Sequence, residues 1–136
     1  MKEVDHIAFN VRDIDSVALK FQEIFGCKPS EKEFVESQNV DVMFLEFPNV
    51  KLELIQSRNN PALEKHLGTA DMCFHHLALV SADINYDANL LKEKKISLIY
   101  PSPKLGAKNK LINFLNPRKT LGLLIELCQY NTGNRE

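Results

Sequence analysis

Asp5-His6-Ile7-Ala8-Phe9-Asn10-Val11 and His75-His76-Leu77-Ala78-Leu79-Val80-Ser81 read as two versions of one strand, and the likeness decides the fold. His6 falls on His76, 70 positions later, and the same step carries Ala8 to Ala78, Asp13 to Asp83 and Ile14 to Ile84. Phe44-Leu45 meets Phe114-Leu115 at that step too. Leu52-Glu53-Leu54-Ile55-Gln56 then meets Ile125-Glu126-Leu127-Cys128-Gln129 after a slip of three residues. The longer hairpin Asn116-Pro117-Arg118-Lys119-Thr120-Leu121-Gly122 absorbs the slip. Matches that recur in order mark a duplicated unit.

Each half has the same layout. An apolar strand, about 4–11 or 74–81, runs to an acidic stop, where Asp13 or Asp15, and Asp83 or Asn85, are N-cap candidates. A helix follows, with Val17, Phe21, Ile24 and Phe25 at helical spacing and Gly26 as its stop. Ala88, Leu91 and the stretch 92–95 make a weaker copy. Hairpins over 40–47 and 50–56, and over 110–115 and 123–129, complete the units. Between them Asn60 caps a short helix with Pro61 at its first position and Gly68 at its end. The reading is α+β: two βαβββ modules forming a curved mixed sheet. Module one covers about 1–57, a helical linker about 58–72, module two about 73–130, and a polar, frayed tail 131–136.

Composition narrows the function. At 136 residues with 44% hydrophobic side chains, the chain is one domain with a real core. A net charge of −1 argues against a nucleic-acid partner, which would call for a basic stripe. No apolar run approaches the roughly 18 residues that span a bilayer, and charges occupy the N-terminus where a signal peptide is apolar. Cys27, Cys73 and Cys128 have neither the number nor the spacing of a disulfide framework or zinc knuckle. A soluble, cytoplasmic protein is expected.

Strand alternation then selects four polar residues. Ile7, Phe9 and Val11 share one face of the first strand, leaving His6, Ala8 and Asn10 on the other. Leu77 and Leu79 oppose His76, Ala78 and Val80. Leu52 and Leu54 turn to the helices and Glu53 away, as Ile125 and Leu127 do with Glu126 opposite. His6, Glu53, His76 and Glu126 therefore occupy the face that the helices leave bare, and packing about a pseudo-twofold axis would bring them together. A single mid-strand histidine is more often structural, but coincidence at repeat-related positions reverses that. Two imidazoles and two carboxylates suit one divalent ion per chain, with Co, Ni, Zn, Mn and Mg all compatible. In an octahedral site two positions stay open for substrate oxygens. His75 alternates to the helix face and His66 lies on the linker, so neither is expected to bind metal.

At these residues the sequence resembles the vicinal oxygen chelate superfamily, which includes glyoxalase I, methylmalonyl-CoA epimerase, extradiol dioxygenases and antibiotic-resistance proteins. Within it, the chain looks most like the methylmalonyl-CoA epimerase branch. The segments that carry the likeness are Asp5-His6-Ile7-Ala8, Lys51-Leu52-Glu53-Leu54, Phe74-His75-His76-Leu77-Ala78, Pro103-Lys104-Leu105-Gly106-Ala107 and Gly122-Leu123-Leu124-Ile125-Glu126-Leu127. The resemblance implies a glyoxalase-like fold around a metal site, with ligands at His6, Glu53, His76 and Glu126. Departures fall at Lys108-Asn109, where epimerases are richer in glycine, and at Asn116, where they tend to have histidine. The base of some bacterial epimerases aligns near Val42, beside Asp41 on the other strand face.

The chemistry so implied is proton abstraction next to a carbonyl, with a metal stabilising the charge that develops. Glu126 is the leading base and Glu53 its pseudo-symmetric partner, with Asp41 a weaker candidate. The expected function is epimerisation of a methylmalonyl-CoA-like acyl thioester by a metal-dependent isomerase. A glyoxalase I-like lactoylglutathione lyase acting on a methylglyoxal–thiol hemithioacetal is the alternative, and a binding or resistance protein without turnover is the third reading. The partner is thus a small molecule, an acyl-CoA or a thiol adduct. Lys104, Lys108 and Lys110 would meet nucleotide phosphates or lie on a solvated hairpin. The resemblance also implies a homodimer.

Overall fold

The computed structural model describes residues 2–131. The chain packs as two units, one of residues 6–75 and one of residues 2–5 with 76–131. Of the tail expected to fray, residues 132–136 lie outside the described residues.

Strand β1 (Val4–Val11) leads to helix α1 (Ile14–Phe25). Asp13 is the cap: its extended backbone lets the carboxylate accept from the Ser16 amide, which settles the choice against Asp15. That bond holds the Asp13 carboxyl below its ordinary range. Gly26, at φ +71°, ends the helix in the left-handed conformation that side chains disfavour. Short strands β2 (Lys28–Pro29) and β3 (Glu33–Val35) precede the hairpin of β4 (Val40–Glu46) and β5 (Lys51–Ser57). In this unit β1 runs parallel to β5, β4 is antiparallel to β5, and β2 and β3 pair with β4. Helix α2 (Pro61–Leu67) follows, capped by Asn60, whose side chain accepts from the Leu63 amide. The core joins Val11, Ile14, Ala18, Met43, Leu45 and Leu54, with Phe9 and Leu52 against it. Val11 and Leu54 of the expected helix-facing set are buried and Phe9 and Leu52 half-buried against them, while His6, Ala8, Asn10 and Glu53 on the other face are buried as well.

The second half of the chain repeats the plan with β6 (Met72–Val80), α3 (Ile84–Glu93), β7 (Lys104–Leu105), β8 (Leu111–Phe114) and β9 (Ile125–Gln129). Strand β6 is parallel to β9, as β1 is to β5, and β8 is antiparallel to β9, as β4 is to β5. Asp83 caps α3 through the amides of Asn85 and Tyr86. Gln56 and Gln129 are the last matched pair of the repeat. Each accepts, at 2.8 Å, from the first helical amide of its unit, Ile14 or Ile84. One cluster joins Leu79, Ile84, Leu91, Leu111, Leu115, Ile125 and Leu127 beneath α3. A separate one holds Ala78, Ile112, Phe114 and Cys128, with Tyr100 and Leu124. Alternation thus splits this unit's sheet into a helix face and a second face.

Candidate functional site

In the unit of residues 6–75, the parallel register sets Ala8 beside Glu53 and His6 beside Lys51. His6 and Glu53 therefore meet on one face, with His6 Nε2 at 3.3 Å from Glu53 Oε1. Both are buried. Phe44 stands opposite Glu53 in the hairpin and turns its ring edge-on to His6, with centroids 5.7 Å apart at 82°.

The second unit builds the same arrangement from the repeat-related residues. Ala78 pairs with Glu126, and His76 Nε2 lies 3.6 Å from Glu126 Oε2, again with both side chains buried. Phe114 opposes Glu126 and meets the His76 ring edge-on at 5.4 Å and 86°. Tyr100 packs against Phe114, and Lys104 Nζ sits 4.2 Å from the centre of the Tyr100 ring. A buried carboxylate without partners is costly, and in each unit an imidazole faces it.

The donors fit a metal. Each pair offers one imidazole nitrogen and one carboxylate oxygen, the set that first-row divalent ions accept. With bonds near 2.1 Å, adjacent ligand atoms stand about 3.0 Å apart in an octahedron and about 3.4 Å in a tetrahedron. The 3.3 Å separation of the first pair lies between those values, and the 3.6 Å of the second is slightly above the larger.

A profile of the Glyoxalase/Bleomycin resistance protein/Dioxygenase superfamily matches residues 5–114. The chain belongs to that superfamily. It is 32% identical over 131 residues to the uncharacterized protein YqjC of Bacillus subtilis (strain 168), covering 95% of this chain and 93% of that one. It is 31% identical over 131 residues to the mitochondrial methylmalonyl-CoA epimerase of Homo sapiens, covering 93% and 73%. A solved structure of a Streptomyces coelicolor methylmalonyl-CoA epimerase variant with 2-nitronate-propionyl-CoA superposes with a TM-score of 0.89. That match has 25% identity and covers 97% of this chain and 96% of the other. The fold is glyoxalase-like.

Other residues of this superfamily member are held in different contexts. Asp41 is bound by Arg58, with Nη2 at 2.6 Å and Nε at 3.3 Å, and Arg58 stacks on Phe34 at 4.2 Å. Its partner in the ladder is Gln56, on the face opposite Phe44 and Glu53. The Asp41 carboxylate is thus occupied by Arg58, away from the His6–Glu53 pair. His75 packs edge-on against His66, with ring centroids 5.2 Å apart. Burial, reinforced by His66 and opposed by Glu53, lowers the His75 pKa to about 4. His66 Nδ1 lies 3.0 Å from Asn10 Nδ2, which also donates to the Leu63 carbonyl. These bonds bind α2 to β1, a role for Asn10 that alternation alone does not reveal. Asn116, a departure from the epimerase pattern, accepts from the Arg118 amide and caps a 3-10 turn over Pro117–Lys119.

One expectation fails. Lys110 does not join Lys104 and Lys108 as an exposed lysine: it is 2% exposed, and its Nζ lies 3.4 Å from Asp5 Oδ2. Before it, Lys108 and Asn109 adopt φ +56° and +57°, the left-handed conformation that favours glycine. The backbone reverses there and turns Lys110 inward.

Proposed function

We propose that the protein is a metal-dependent epimerase of a methylmalonyl-CoA-like acyl thioester. The observation that carries this reading is the duplicated buried His–Glu pair, backed by relatives that are methylmalonyl-CoA epimerases. His6, Glu53, His76 and Glu126 together supply the ligands of one divalent ion per chain. When bound, that ion supplies Lewis-acid polarisation of the substrate's oxygens.

The chain's own part is to bind, exclude water and move a proton. Glu126 takes the proton from C2 of the acyl group, leaving the C–H electron pair in the enolate, and Glu53 is its counterpart in the other pair. Phe44 and Phe114 hold the two imidazoles edge-on, so each histidine keeps one ring orientation. Tyr100 and Leu124 add apolar surface on the Glu126 face, which lowers the local dielectric and strengthens charge interactions there. Proton return to the opposite face of C2 inverts the centre.

Turnover decides the substrate. Metal-replete protein is expected to epimerise methylmalonyl-CoA and to leave the methylglyoxal–glutathione hemithioacetal unconverted. Turnover of the hemithioacetal alone would replace this reading with the lyase, and turnover of neither would replace it with a binding protein. Among the described residues no helix is long and apolar enough to cross a membrane.

The same reading makes the protein a homodimer. Leu19, Ile24 and Phe25 leave more than half of their surface exposed on α1, which supports association. Light scattering is expected to give twice the chain mass, and a single-chain mass at micromolar concentrations would remove the dimer.

A further inference from the structure

The chemistry proposed above leaves one buried ion pair unused. Lys110 is among the largest fully buried side chains of the protein. Its Nζ lies 3.4 Å from Asp5 Oδ2 and 5.2 Å from the centre of the Tyr130 ring. The Tyr130 hydroxyl donates to the other carboxylate oxygen, Asp5 Oδ1. Asp5 is thus held at both oxygens, from residues just before β8 and just after β9.

Stability alone does not account for this arrangement. Taking an ammonium and a carboxylate out of water costs about as much as their attraction returns, and apolar side chains of similar size often serve as well. A two-point hold supplies direction instead. Asp5 and His6 are consecutive in β1, with Cα atoms 3.8 Å apart across a trans peptide, as in any strand. Successive strand side chains project to opposite faces, so fixing the rotation of the strand at Asp5 fixes where the His6 imidazole projects.

We infer that Asp5, Lys110 and Tyr130 form a positioning device for His6, an inference that rests on the metal reading above. The device acts behind a ligand, as the hydrogen-bond partners of metal-binding histidines do, and loss of such partners typically weakens metal binding about 10–100-fold.

The test titrates metal-free protein with Co2+ by calorimetry, beside a thermal melt. Removing Lys110 alone would leave a buried carboxylate without its cation, so Asp5→Asn/Lys110→Met removes both charges together. It is expected to bind Co2+ about 10–100-fold more weakly at an unchanged or higher melting temperature. Tyr130→Phe keeps the ion pair and the ring, and loses only the hydroxyl. It is expected to weaken binding several-fold without loss of fold, and it decides the matter if the double variant does not fold. Wild-type affinity in the folded variants would overturn the inference while leaving the metal reading intact. A wild-type protein that binds no Co2+ would overturn both.

Discussion

Glu126→Gln is expected to keep its bound metal and lose about 10²–10⁴-fold in turnover, the range that general-base catalysis contributes. Glutamine preserves the shape that β9 presents beside Phe114 and His76, and its amide oxygen still coordinates. It has no basic oxygen to accept a proton at neutral pH. The two roles given to Glu126 therefore separate: metal content reports the ligand and rate reports the base. Equal losses of both would make Glu126 essential for holding the ion. Near-normal turnover with metal bound would make Glu126 a ligand only and move the proton to Glu53. The Asp41 carboxylate is occupied by Arg58, away from the His6–Glu53 pair.

His6→Ala and His76→Ala are each expected to bring bound metal from about one ion per chain to a trace. Each removes the Nε2 that faces a buried carboxylate, Glu53 or Glu126. Loss of a contact to a buried carboxylate costs about 1–3 kcal/mol, so a lower melting temperature accompanies the loss in a chain that still folds. Neither histidine belongs to the apolar clusters beneath the helices, which is why the fold survives. Metal analysis of the purified variants reads the outcome, and undiminished metal in both would sink the proposed ligand set.

The repeat made the topology legible. A step of 70 residues aligns strand, cap and helix, a step of 73 aligns the last strand, and the structure repeats those parts down to Asp13 with Asp83 and Gln56 with Gln129. Alternation likewise brings Glu53 to His6 and Glu126 to His76, because side-chain direction in a strand is fixed by position alone. The companions of those pairs were harder to read. Phe44 and Phe114 are visible as a repeat match, but their edge-on contact with the imidazoles depends on register across the hairpin. Strands β2 and β3 are too short to show any period.

Lys110 is the clearest failure of sequence reasoning, and its cause is physical. Gly-Ala-Lys-Asn-Lys has the composition of a solvated loop. The lysine's partner Asp5 lies 105 residues away along the chain, beyond the reach of any local pattern. Two consecutive left-handed residues turn the backbone there, and neither is a glycine that would have announced the turn.

The central claim is that a metal-dependent proton transfer occurs at the carbon next to a thioester carbonyl. Its most direct test is to incubate methylmalonyl-CoA with the protein in heavy water, before and after removal of metal by a chelator, and to follow deuterium at C2 by mass spectrometry. Metal-replete protein is expected to wash solvent deuterium into C2 far faster than the buffer, chelated protein to match the buffer, and restored metal to recover the rate. Exchange no faster than buffer with metal bound, or exchange indifferent to the chelator, would contradict the account.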